Sequence, residues 1–181
     1  MRKLAYIILI SLTFVSCSQK KFKPRIANIK FDEKALYESY NATILISDDK
    51  AVRARVFTKH LVVYDDIKKT FLKDSVNIEF FGENGDKNFI LTCKEGEIDD
   101  ITHNMVARNN VYAYNLEGVK IRTEELNWDN QSRQFHSDAF VTVITPNEKI
   151  QGYGFQSDSR IRNYIINRIV YITNSTSFGN E

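Results

Sequence analysis

From Ala42 to Ile172 apolar and polar residues alternate, or gather in short apolar runs, and turn-forming clusters interrupt them about every eight to twelve residues. The clusters include Ser47-Asp48-Asp49-Lys50, Glu83-Asn84-Gly85-Asp86, Asn115-Leu116-Glu117-Gly118 and Pro146-Asn147-Glu148-Lys149. Because successive side chains on a strand point to opposite faces, the alternation sorts residues into two sets. One face gathers Val52, Ala54 and Val56; Val76, Ile78 and Phe80; Phe89 and Leu91; Val119 and Ile121; Leu126 and Trp128; Val141 and Val143. The other carries Arg53, Arg55, Asn77, Glu79, Lys120 and Arg122. One apolar face per strand is what a sheet folded over itself requires. No helical period is sustained over this stretch, and residues 28–41 fit either a turn of helix or an extended tether.

A longer pattern is superposed on the short one. Tyr64-Asp65-Asp66, Ile98-Asp99-Asp100 and Trp128-Asp129-Asn130 each join an apolar residue, an aspartate and a turn former. After each comes a polar pair or its remnant and then a β-branched residue: Asp74-Ser75-Val76, Asn109-Asn110-Val111 and Asp138-Ala139-Phe140-Val141. The expected strands open at Val76, Val111 and Val141. A repeat of roughly 30 to 35 residues marks units that bury their apolar face only by stacking. Trp128-Asp129 is thus one instance of a structural unit, and its aspartate is expected to bond turn backbone.

Composition agrees: 43% hydrophobic and 12% aromatic residues suffice for a core, and only 7 Gly and 2 Pro accompany abundant Val, Ile, Thr, Tyr and Phe. The N-terminus adds a different element. Arg2 and Lys3 precede an apolar run from Leu4 to Val15, too short to span a bilayer, and then Ser16-Cys17. Phe14-Val15-Ser16-Cys17 resembles a bacterial lipobox, with Phe14 where leucine is usual, so Cys17 is expected to be acylated and to become the mature N-terminus. The alternative is an uncleaved anchor with a chance cysteine. Cleavage would remove Arg2 and Lys3 and no acid, so 25 basic against 23 acidic residues become 23 against 23. A neutral mature chain argues against nucleic-acid binding, which rests on an excess of Lys and Arg. Lys20, Lys21, Lys23 and Arg25 follow Cys17 and suit either anionic headgroups or a solvated tether.

Little in the sequence suggests enzyme chemistry. With Cys17 acylated, Cys93 is alone and in phase with Phe89 and Leu91, a small core residue with no thiolate metal site to join. His60, His103 and His136 occupy different phases of the repeat and lack ligand spacing, so no metal or cofactor is expected. Of the acidic doublets Asp65-Asp66, Asp99-Asp100 and Glu124-Glu125, two fall in expected turns, and no phosphate loop or serine elbow is present.

Several ordered motifs resemble one family. Val111-Tyr112-Ala113-Tyr114 runs to a turn at Gly118. Then follow Ile121-Arg122-Thr123-Glu124-Glu125-Leu126-Asn127-Trp128-Asp129, Ser137-Asp138, Val141-Thr142-Val143 and Ile150-Gln151-Gly152-Tyr153-Gly154-Phe155. Their order and spacing resemble the LptC family, the periplasmic component of lipopolysaccharide export, over residues 42–172 and most closely over 111–158. The resemblance implies an all-β, open twisted β-jellyroll of two antiparallel sheets. It also implies a path for lipopolysaccharide or a related lipid, from an inner-membrane ABC transporter to an LptA-like jellyroll. Members usually carry an uncleaved transmembrane helix; here lipid on Cys17 would replace it, and Ser18 leaves open whether the inner or the outer membrane holds the anchor.

The expected organisation is a signal peptide at 1–16, a lipid-anchored tether at 17–41, the jellyroll at 42–173 and a tail at 174–181. Val56, Ile78, Phe80, Phe89, Leu91, Ile121, Leu126, Trp128, Val141 and Val143 are the expected groove residues. The late strand Tyr164 to Ile172, with β-branched residues at Ile165, Ile166, Ile169, Val170 and Ile172, is the expected docking edge through Tyr164, Ile166, Arg168 and Val170. Two readings stand: a lipid-transfer bridge, and a lipid-anchored β-repeat scaffold with a dry core and no cargo.

Overall fold

The structure, a computed structural model, describes residues 34–48, 50–82 and 84–174. The chain divides into two compact units, Met1–Lys30 and Phe31–Glu181, and every described residue belongs to the second. Cys17, the basic cluster after it and the tail from residue 175 onward lie outside the described residues.

The described residues form ten strands: β1 (Tyr37–Ser47), β2 (Val52–Tyr64), β3 (Lys69–Phe81), β4 (Lys87–Cys93), β5 (Glu95–Asp99), β6 (Met105–Asn115), β7 (Lys120–Asp129), β8 (Gln134–Ile144), β9 (Glu148–Asp158) and β10 (Tyr164–Asn174). All pair antiparallel in one sheet, in the order β1-β2-β3-β4-β6-β7-β8-β9-β10, while β5 pairs with β3 and β6. The fold is all-β, as the alternation predicts, and jellyroll-like, as the family resemblance implies. Its two layers are halves of a single hydrogen-bonded sheet: the rings of Phe89 on β4 and Phe135 on β8 meet at 5.2 Å although β6 and β7 separate those strands in the sheet.

The repeat found in the sequence marks where this sheet bends. Register shifts fall between Thr58 and His60, Arg108 and Val111, Thr123 and Asn127, and Ser137 and Phe140. At the same level Asp74 and Ser75 have φ of 61° and 103°, and Asn109 and Asn110 of 65° and 56°. Two successive left-handed residues turn a strand sharply, and Asn and Asp tolerate that region better than other residues with a Cβ. This explains the polar pairs. It also corrects the strand starts: Val76, Val111 and Val141 resume their strands after the bend, since β3 begins at Lys69, β6 at Met105 and β8 at Gln134. The first strand likewise begins at Tyr37, so residues 37–41 are strand and not tether.

The aspartates of the repeat sit at the far rim, where strands reverse. Asp99 accepts the N–H groups of Ile101 and Thr102 at 3.0 and 2.7 Å, and Asp129 accepts the N–H and hydroxyl of Ser132 at 2.6 and 2.9 Å. Asp65 differs, pairing with Lys68 at 2.6 Å while Asp66 takes the N–H of Ile67. The turn N–H of Thr102 holds the Asp99 carboxyl below its ordinary 3.8, and that of Ser132 does the same for Asp129. A lowered carboxyl stabilises the fold fully above its unfolded value and loses that contribution as pH falls through the folded one. The turns after Asp99 and Asp129 are therefore expected to fray as pH drops below 3.8, seen as faster amide exchange at Thr102 and Ser132 while core amides stay protected.

Candidate lipid-binding cleft

The inner faces of the two halves meet in a closed interior. Of the expected groove residues, Val56, Ile78, Phe89 and Leu91 are buried in it, as are Ile121, Leu126, Val141 and Val143. Phe80 and Trp128 are half-buried against this cluster. Val52, assigned to the inner face by its phase, lies exposed at the start of β2. Aromatic rings form the centre: Phe80 stacks on Phe89 at 4.1 Å, and Phe135 meets Phe89 at 5.2 Å and Trp128 at 4.8 Å. Phe135 escapes the sequence pattern because it stands between Gln134 and His136, in phase only with the buried Ser137.

Toward β1 the two halves part and leave a cleft of about 540 Å³. Its apolar wall is Ile44, Ile46, Phe80, Ile98, Met105 and Trp128. Its lip carries Arg53, Arg133 and Arg160 with His103, and beside them the carboxylates of Asp48 and Asp100, the second of which accepts the Thr70 hydroxyl. Arg53 binds Asp48 at 2.6 Å, and this bond is the main reason the Asp48 carboxyl falls to about 2. Among the described residues, the guanidinium groups of Arg133 and Arg160 form no ion pair. An apolar trough with cations at its lip suits an amphiphile whose polar end is anionic. Ile44 and Ile46 stand in the apolar run Ile44-Leu45-Ile46, where Leu45 between them blurs the period of two. Arg133 and Arg160 give no signal of their own, since each sits in a turn outside any period.

Among the described residues both ends of the sheet are open edges. There β10 pairs only with β9, and Ile165, Ile169, Val170, Tyr171 and Ile172 are exposed along it. Tyr164 and Ile166 turn toward the core, while Arg168 lies over the Tyr153 ring at 4.4 Å and Val170 is exposed at a register shift. Gly152 permits the close approach of β10, because a Cβ there would stand 2.3 Å from the Arg168 carbonyl oxygen and 2.7 Å from Ile166 Cγ2. Cys93 donates to the Glu95 carbonyl from a buried site, and burial pushes its thiol up to about 11, a value that keeps it unreactive.

A family model described as LptC: Lipopolysaccharide-assembly, LptC-related, matches residues 4–165. The chain belongs to the LptC-related family. A search among individual curated proteins found no match. As an LptC-related protein the chain is a component of lipopolysaccharide transport in the cell envelope. The match stops at Ile165, two residues into β10, so the long exposed edge is described by this chain's own structure.

Proposed function

We propose that this LptC-related protein receives lipopolysaccharide, or a similar lipid, from an inner-membrane ABC transporter and passes it to an LptA-like jellyroll. The observation that supports this best is the cleft, which joins an apolar wall to Arg133 and Arg160 at its lip. Acyl chains would lie against Ile44, Ile46 and Trp128, and acidic groups of the head would meet the arginines. The open edge of β10 would pair with the receiving jellyroll, through Tyr164 and Ile166 on one side and Arg168 and Val170 on the other. Cys17 would hold the chain to the periplasmic face of the inner membrane, or to the outer membrane if Ser18 directs it there.

Mass spectrometry of the soluble domain after mild extraction tests the reading, with a bound phosphorylated lipid as the expected result. Arg133→Glu with Arg160→Glu should weaken binding of lipid A by about tenfold, the scale of losing charge-assisted bonds. The dry-core scaffold draws support from the eight expected groove residues that are packed in the interior. It predicts no co-purified lipid and no effect of the two arginines. A fatty-acid probe should label the wild type and leave Cys17→Ala unlabelled; equal labelling of both would remove the lipid anchor.

A further inference from the structure

The cleft does not run freely to β10. It ends at Ser159 and Arg160, in the loop 159–163 that joins β9 to β10. This loop belongs to one half of the folded sheet but reaches the other: the Arg160 carbonyl accepts Asn115 Nδ2 at 3.4 Å, and Arg162 pairs with Glu117. Between these contacts the side chain of Ile161 is fully buried in the core. Its backbone has φ of 56°, a region that a β-branched residue rarely adopts. The loop is therefore strained so as to send one apolar side chain inward.

Its bonds are unevenly distributed. Within the loop, Asp158 accepts the N–H groups of Arg160, Arg162 and Asn163 at 3.0, 3.0 and 3.2 Å, and also Asn163 Nδ2 at 2.8 Å. Across the mouth there are the long Asn115 bond and an ion pair whose two side chains are each 50% exposed, a kind of pair that contributes little. Polar contacts thus tie the segment more firmly to itself than to the opposite rim, where the buried Ile161 side chain is its main hold. Beyond it the apolar inner surface continues toward the edge through Phe155 and Ile166.

We propose that loop 159–163 is a strap that closes the β10 end of the cleft, with Ile161 as its plug, and that lipid reaches the docking edge only when the strap lifts. The proposal rests on the lipid-transfer reading above and adds a gated exit to it. Lifting the strap exposes Ile161 but relaxes its backbone and frees the Arg162 and Glu117 charges, so the closed and open arrangements compete closely.

The test uses the full chain with lipid A as the probe. Benzoylphenylalanine in place of Trp128 reports entry into the cleft, and in place of Ile166 it reports passage beyond the strap. Glu117→Cys with Arg162→Cys in a Cys17→Ser background, joined by a bis-maleimide long enough to replace the ion pair, locks the strap; the buried Cys93 does not compete, and the same protein before joining is the control. Locking should leave labelling at 128 unchanged and lower labelling at 166 about tenfold, while Ile161→Gly, which suits the positive φ, should raise labelling at 166. Labelling at 166 that ignores the lock overturns the strap, as does labelling at 128 alone in every variant. No labelling at 128 in any variant overturns the lipid cleft itself.

Discussion

Phe135→Ala is expected to destabilise the domain by about 3–5 kcal/mol, the range for removing a buried aromatic ring. Phe135 is 2% exposed and its ring meets those of Phe80, Phe89 and Trp128, which come from both halves of the folded sheet. Removing it leaves a void where the halves are joined. Trp128→Ala should cost less, because Trp128 also borders the open cleft and has fewer contacts to lose on that side. Urea unfolding measures both: a lower midpoint at unchanged slope is the expected form, larger for Phe135. Equal shifts would mean that the cleft wall is as tightly packed as the centre.

Proline at Ile166 or Arg168 is expected to weaken binding of the receiving jellyroll by about tenfold or more, or ~1.4 kcal/mol. Edge pairing draws its affinity from backbone groups, and proline removes a donor that no side-chain truncation touches. Among the described residues β10 has β9 as its sole partner in the sheet, so β1 to β8 keep all their pairings in such a variant. Circular dichroism should report a folded domain while pull-down of the partner fails. A variant that folds and still binds would exclude this edge, and one that unfolds would make β10 part of the core.

The alternation in the sequence located the strands because a half-buried sheet imposes a period of two on each of them. The bends were visible as well, in Asp74-Ser75 and Asn109-Asn110, but were read as strand starts. A register shift within a strand and a gap between strands both interrupt the alternation in the same way. Phase carried Ile78, Leu91 and Val143 to the inner face correctly. It does not encode how far apart two halves stand, so it could not separate the packed Ile121 from the half-open Phe80. Arg133, Arg160 and Ile161 escaped notice because loops have no period. Their roles come from where the turns bring them, and for Ile161 from a backbone angle that no sequence pattern signals.

Apart from β5, each strand pairs with the strand immediately before it in the chain. Strand pairing in such a fold has no step that must wait for the C-terminus, since each hairpin finds its template already formed. A chain made N-terminus first can therefore pair its strands in the order they appear, while the apolar face of β3 and β4 stays uncovered until Phe135 on β8 closes over it.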